Sequence, residues 1–345
     1  MQVVQINSHG GPEVLELVDV PDPQPGPGQV LVRVLGVSLN HLDLWVRRGM
    51  PGFPVPFPRI PGCDGIGEVL AVGADVTSVR SGQQVVLEPG YTDDLESAEV
   101  RRGADHLAAD YSVRGEHSDG FDAEMVVLPE RYVLALPDDL DPVTASAAPL
   151  VFLTAWGMLM ERARVQRGET VLVLGAGSGV GSAAIQIAKR EGARVIATAG
   201  NERKRALALE LGADEVLDHR AEGWAKGVKQ LTDGAGCDVV VEHIGPATWA
   251  ESMKAMARNG RLVTCGGTTG PKVQVLLPHL FIKNLSLLGS TMGPRSALPL
   301  IFERLVEGSY RPVVDRVMPM SEVREAHRLL EASEVVGKVV LIPGQ

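Results

Sequence analysis

At 345 residues the chain exceeds one ordinary domain, and two are expected. Hydrophobic residues at 45% against 22% charged describe a soluble globular protein, and no apolar run is long enough to cross a bilayer. A net charge of −10 argues against nucleic acid or an anionic membrane as partner and leaves a small-molecule substrate. The opening residues, MQVVQINSHGG, carry neither the basic nor the apolar region of a signal peptide, so a cytoplasmic location is expected. Cys63, Cys237 and Cys265 are isolated, which encodes neither a disulfide framework nor a thiolate zinc cage.

Up to about Glu130 the pattern is short β-rich runs, VLVRV at 30–34, GEVLAV at 67–72 and QVVL at 84–87. Stretches dense in Pro and Gly, 21–28 and 51–62, separate them, so an all-β, barrel-like first domain is predicted. Residues 91–120 are polar and aperiodic, an irregular lobe on that domain. From 141 the pattern turns helical, with one or two helices over 143–164.

The stretch 169–193, ETVLVLGAGSGVGSAAIQIAKREGA, carries the strongest signal. The apolar run VLVL at 171–174 reads as a strand buried on both faces, and it breaks into the glycine turn 175–181. Ala183, Ala184, Ile185, Ile187 and Ala188 follow at helical spacing, with Gly192 as the stop. A second strand at 194–199 completes a βαβ unit, whose turn and helix N-terminus suit a pyrophosphate. Aligning the helix-facing glycine of the dinucleotide fingerprint on Gly181 puts Ala176 and Ser178 at its other two positions. The bland alternative is a parallel α/β unit with a tight turn and no ligand.

Alternation continues with a helix at 204–211 ended by Gly212, a strand at 215–217, a helix at 223–231, and strands at 237–241, 261–265 and 285–288. This predicts a doubly wound parallel sheet. The tail adds an amphipathic helix at 297–307, a short segment at Val317 and Met318, a helix at 321–332 and a strand at 338–342. That strand has no place in the winding order and is expected to return to the barrel domain.

Six motifs in this order carry a resemblance: GVSLNHLD at 36–43, PGCDGIG at 61–67, LTAW at 153–156, GVG at 179–181 followed by AIQ, LGAD at 211–214, and GKVVL at 337–341. Together they resemble the medium-chain dehydrogenase/reductase superfamily, in its zinc-free quinone oxidoreductase-like branch. The resemblance implies an α/β protein with a Rossmann-type doubly wound parallel sheet plus a GroES-like β-barrel domain. The expected division is a discontinuous GroES-like catalytic domain of 1–129 and 296–345 and a dinucleotide-binding domain of 130–295.

Zinc alcohol dehydrogenases of the superfamily hold a catalytic metal in slots that resemble Asn40, Cys63 with Asp64, and Leu150 here. Only Cys63 is a soft ligand, Asp64 is a hard one, and Leu150 is none, whereas catalytic zinc needs three protein ligands. The family's structural zinc slots fall near Asp93, Glu96, Glu99 and Ala108, without a thiolate. No zinc is therefore expected, and the acidic group is read as a solvated surface.

The slot at which NAD enzymes carry an acid for the ribose diol is Ala199, followed by Gly200 and Asn201 and then Arg203, Lys204 and Arg205. NADPH is expected over NADH, with Asn201 and Lys204 as contacts and Arg203 and His219 as additions. Gly177, Ser178, Gly179 and Val180 are assigned to the pyrophosphate. By resemblance, Asn40 and Thr154 lie near the nicotinamide and its ribose, with Gly266, Gly267 and Ser290 lining the cofactor's far side.

Quinones or α,β-unsaturated carbonyls suit hydride transfer without zinc better than simple alcohols. His41 and Asp43, with Trp45, follow Asn40 and are the catalytic candidates; His41 is either the proton donor or a hydrogen-bonded structural residue. His117 and His243 are further candidates. Cys63 reads as a buried small residue or a reactive thiol. The rival readings are an alcohol dehydrogenase-like enzyme acting on alcohols and aldehydes, and a catalytically silent NADP-binding protein. A homodimer or homotetramer is expected, because 285–292 resembles the edge strand through which relatives pair.

Overall fold

Val30, Val32 and Val34 alternate with outward residues along β3 (Gln29–Ser38), the longest strand among the described residues, and the first unit is assembled around it. In the computed structural model, which describes residues 1–50 and 52–344, this unit comprises 1–150, 294–308 and 312–345. A hairpin of β1 (Gln2–Ile6) and β2 (Leu15–Asp19) precedes β3, and α1 (His41–Arg48) follows it. Strands β4 (Gly65–Val72) and β5 (Gln84–Leu87) continue the sheet antiparallel. Cross-strand partners Arg33 and Glu68 pair at 2.7 Å on the outer face.

The 91–120 lobe holds short pieces: β6 (Gly90–Tyr91), α2 (Ala98–Arg101), a 3-10 turn (Asp105–Leu107) and β7 (Ser112–Val113). Strand β8 (Met125–Pro129) then pairs with β3, and β9 (Val133–Ala135) pairs with β5. This unit runs on past the expected boundary at 129. Strand β9 is part of its sheet, Ser146 of the turn after α3 (Pro142–Ala145) packs over Gly36, and the Leu150 amide donates to Asp64 Oδ1 at 2.6 Å. Backbone pairing, invisible in a composition shift, keeps 130–150 with the first unit.

Helix α4 (Pro149–Trp156) leads the chain into the second unit, 151–293 with 309–311. Here β10 (Thr170–Val173), α5 (Gly179–Arg190) and β11 (Arg194–Thr198) form the expected βαβ unit. The alternation continues through α6 (Glu202–Glu210), β12 (Glu215–Leu217), α7 (Ala225–Leu231), β13 (Cys237–Glu242), α8 (Pro246–Ala255), β14 (Met256–Thr264), α9 (Leu277–Ile282) and β15 (Ser286–Gly289). The sheet is parallel throughout, in the order β12-β11-β10-β13-β14-β15. The winding reverses between β10 and β13, the point at which doubly wound sheets bind ligands. Leu172, Leu174, Ile196, Val240 and Leu262 fill one core layer with Trp224 and Trp249.

Residues 309–311 stay with this unit because Gln186 accepts from the Arg311 amide at 2.6 Å and donates to its carbonyl at 3.0 Å, while Tyr310 stacks on Phe152. The remaining tail, α10 (Ala297–Val306), β16 (Val314–Pro319), α11 (Val323–Glu331) and β17 (Lys338–Ile342), belongs to the first unit. Its return begins at Pro294 rather than 296, where Arg295 grips Glu88 with two hydrogen bonds of 2.9 and 2.8 Å and its amide donates to Asp105. Strand β17 joins β3 antiparallel and β16 parallel, the return predicted for it.

Leu172 is fully buried in the core of the second unit. Leu172→Ala should therefore lower the stability of that unit by about 2–5 kcal/mol, read as a shift of the denaturant midpoint at unchanged slope.

Candidate active site

The glycine turn is shaped by close approach. Gly175 has φ +60°, and a Cβ there would stand 2.9 Å from the His243 ring. A Cβ on Gly181 would fall 2.3 Å from the Gly175 carbonyl, so only glycine lets α5 start this close to β10. Ser178 caps α5, accepting from the Gly181 amide at 3.0 Å. The amides of Gly179 and Val180 precede the helical hydrogen-bond pattern and, with the dipole, face one point at the C-terminal end of β10. The aliphatic stem of Lys204 covers Gly177, where a Cβ would meet its Cγ at 2.4 Å.

A group absent from the sequence reading holds this turn in place. Glu242, fully buried at the end of β13, accepts from the amides of Ile244 and Gly245 at 2.7 and 3.1 Å. It also accepts from Thr248 Oγ1 at 2.9 Å and Ser252 Oγ at 2.6 Å. The loop it fixes seats His243, which donates Nε2–H to the Leu174 carbonyl at 2.9 Å beneath the turn. Burial pulls the His243 pKa down, so the imidazole is neutral and structural. From the loop after β14, Thr268 and Thr269 donate to the His243 and Ile244 carbonyls and tether the loop of Gly266 and Gly267. The Ser290 amide donates to the Thr264 carbonyl at 2.8 Å just past β15. The one signal for Glu242 was an acid closing the apolar run 239–241.

At the end of β11, Asn201 caps α6 by accepting from the Lys204 amide at 2.9 Å. His219 Nδ1 lies 3.0 Å from Thr198 Oγ1, and burial holds its pKa below the usual value. Arg220, not singled out from the sequence, lies against Gly200: a Cβ on that glycine would be 2.6 Å from its Nε. Thr154 is buried and donates to Met292 Sδ at 3.7 Å. The cofactor candidates Gly177, Ser178, Gly179, Val180, Asn201, Lys204, His219, Gly266, Gly267 and Ser290 thus all lie at the C-terminal edge of one sheet.

The remaining candidates belong to the first unit. Asn40 follows β3 and caps α1; its Nδ2 donates to the Ser38 carbonyl at 3.1 Å, to Cys63 Sγ at 3.3 Å and to Asp64 Oδ2 at 2.9 Å. Lys338 of β17, 3% exposed, donates Nζ to Asn40 Oδ1 and to Asp64 Oδ2, the latter at 3.1 Å. Asp64 Oδ1 accepts from the Leu150 amide. The metal slots are thus engaged with one another and with a buried ammonium, and this donor set does not fit a catalytic zinc. Burial pushes the Cys63 thiol well above its ordinary value, which makes it inert.

Asp43, expected among the catalytic residues, is 2% exposed. Its carboxylate accepts from the Asn40 amide at 2.7 Å and the Gly62 amide at 3.3 Å, so it fixes the start of α1 against the 61–64 segment. His41, at the first position of α1, is half-buried. His117 Nδ1 accepts from the Val113 amide at 3.1 Å, a local structural contact. In the lobe, Glu96 pairs with Arg101, Glu99 with Arg102, and Asp93 approaches Arg131, while Ala108 is buried. Among the described residues no group of three or more His, Cys, Asp or Glu side chains is placed to hold a metal ion.

Family models described as an alcohol dehydrogenase GroES-like domain and a zinc-binding dehydrogenase match residues 26–138 and 179–307. A quinone oxidoreductase of Pseudomonas aeruginosa is 33% identical, with 99% of each chain covered. The chain belongs to the medium-chain dehydrogenase/reductase superfamily, in its quinone oxidoreductase-like branch. It is accordingly a pyridine-nucleotide oxidoreductase with a GroES-like first domain and a Rossmann-like sheet. Among solved medium-chain structures, one described as an NAD-dependent alcohol dehydrogenase is 45% identical, with 100% of both chains covered and a TM-score of 0.96. A crotonyl-CoA carboxylase/reductase in complex with NADP is 26% identical, covering 99% of this chain and 94% of that one, with a TM-score of 0.89.

Burial raises the Asp43 carboxyl from 3.8 to about 6, with the Asn40 amide and Lys338 opposing the shift. Its neighbour Asp122, whose oxygens have no hydrogen-bond partner among the described residues, is pushed well above the carboxylate range by burial and by Asp43. The folded state therefore holds the Asp43 proton to higher pH than the unfolded chain. The stability this group contributes is present below its unfolded value and is lost as pH rises from 3.8 through about 6. Denaturant midpoints of the native chain relative to Asp43→Asn should fall across that window.

Proposed function

We propose that the chain transfers hydride from NADPH to a quinone or an α,β-unsaturated carbonyl without a catalytic zinc. The observation that carries this reading is the closed cluster of Asn40, Cys63, Asp64 and Lys338, in which every metal slot able to coordinate is already engaged. When bound, the reduced nicotinamide supplies the hydride, and this chain's residues orient it and manage charge on the acceptor's oxygen. The amides of Gly179 and Val180 with Ser178 hold the pyrophosphate, and Gly177 lets the backbone come close. Asn201, Lys204 and His219 serve the adenosine ribose and its 2′-phosphate, in a site that lacks the acid an NAD enzyme places there. Thr154, Gly266, Gly267 and Ser290 serve the nicotinamide half.

His41 donates the proton to the developing oxyanion; Asp43 holds α1, and with it His41, in register. The sound competing reading is an NAD-dependent enzyme for alcohols and aldehydes, favoured by the 45% identical neighbour described in those words. Kinetics over a panel of quinones, enones and alcohols with both nucleotides separates the two. We expect kcat/KM for NADPH to exceed that for NADH by about tenfold or more, substoichiometric zinc in the purified protein, and turnover that survives chelation. His41→Ala should lower kcat about 10²-fold. Preference for NADH, or stoichiometric zinc whose removal abolishes turnover, overturns the reading.

We further propose that the chain self-associates through the edge strand β15. Leu276, Leu277, Phe281 and Ile282, each more than half exposed, sit on or beside α9 just before that strand. An open strand edge flanked by apolar side chains is a pairing surface. Light scattering should give the mass of a dimer or tetramer, and Leu277→Asp with Phe281→Asp should reduce it toward 36.7 kDa.

A further inference from the structure

We propose that Arg220 is the specificity residue that grips the 2′-phosphate of the dinucleotide, and that Gly200 leaves the room which admits it. This rests on the NADPH reading and deepens it.

At the end of β11 the chain reads Thr198-Ala199-Gly200-Asn201, with no acid to accept hydrogen bonds from a ribose diol. A cation from the next strand's turn fills the place instead. A Cβ on Gly200 would lie 2.6 Å from Arg220 Nε, 3.0 Å from its Cζ and 3.2 Å from Nη2. Those three distances lay the guanidinium over Gly200, in space that a side chain at 200 would share with it, so that the flexible arginine would have to shift.

Asp218 sets the backbone of this turn, because its Oδ1 accepts from the Arg220 amide at 2.8 Å. Its Oδ2 is taken by Arg205 at 3.3 Å. The carboxylate nearest in sequence is therefore engaged elsewhere, and no carboxylate pairs with the Arg220 guanidinium among the described residues. The arginine's charge is felt at His219, whose pKa it helps to lower. Arg220 thus presents a planar, permanently charged fork beside Asn201, the cap of α6, and His219. Such a fork matches two oxygens of a phosphate, whereas a neutral 2′-hydroxyl offers it little.

The adenosine ends of the two nucleotides, 2′,5′-ADP and 5′-AMP, isolate this contact from catalysis. Titration calorimetry on the full chain should show tighter binding of 2′,5′-ADP. Arg220→Ala should weaken 2′,5′-ADP by about tenfold or more while leaving 5′-AMP within about twofold. Arg220→Lys, a point charge without the fork, should recover only part of the loss. If the native chain prefers 2′,5′-ADP and Arg220→Ala changes nothing, or weakens both ligands alike, the assignment of Arg220 falls and the NADPH reading stands. If the native chain binds both ligands equally, both fall together.

Discussion

A lysine ammonium withdrawn from water must have its charge answered, and the first unit is arranged around that requirement. Lys338 sits between Asn40 and Asp64, and each of those is tied to further backbone and side-chain partners: Ser38, Cys63 and Leu150. Removing one partner from a buried ion pair typically costs about 3–5 kcal/mol, because the other charge is left stranded. The cluster therefore explains several features at once. It anchors the returning strand β17 beside β3, it holds residue 150 to the first unit, and it occupies the groups from which a relative would build a metal site.

Much of the fold was readable from residues alone, and for a simple reason. Parallel strands buried on both faces read as unbroken apolar runs, and glycine positions that need close approach admit nothing else. Strand β17 was placed correctly by elimination, since it had no slot in the winding order. What stayed hidden depended on partners far along the chain. The hairpin β1–β2 and helices α8 and α9 carry weak local periodicity, and the boundary moved from 129 to 150 because β9 pairs back to β5.

The candidate site divides along the same line. The glycine turn could be found from spacing, but the groups that hold it could not. Glu242 acts through the amides and hydroxyls it gathers from the loop and helix behind His243, and Arg220 through contact with a glycine far back in sequence, at position 200. Asp43 looked chemical because, with His41 and Trp45, it follows Asn40. Its depth and its two backbone amides tie it to the start of α1, and burial pushes the nearby Asp122 well above the carboxylate range.

The late position of Lys338 orders events during synthesis. When the first 150 residues leave the ribosome they contain Asn40, Cys63 and Asp64, but the counter-charge for Asp64 is not made until almost 190 further residues have followed. The dinucleotide unit, nearly continuous in the chain, has all its strands before then. Every strand of the second unit is thus in the chain before Lys338 is made, whereas the first unit receives the counter-charge of Asp64 only with β17.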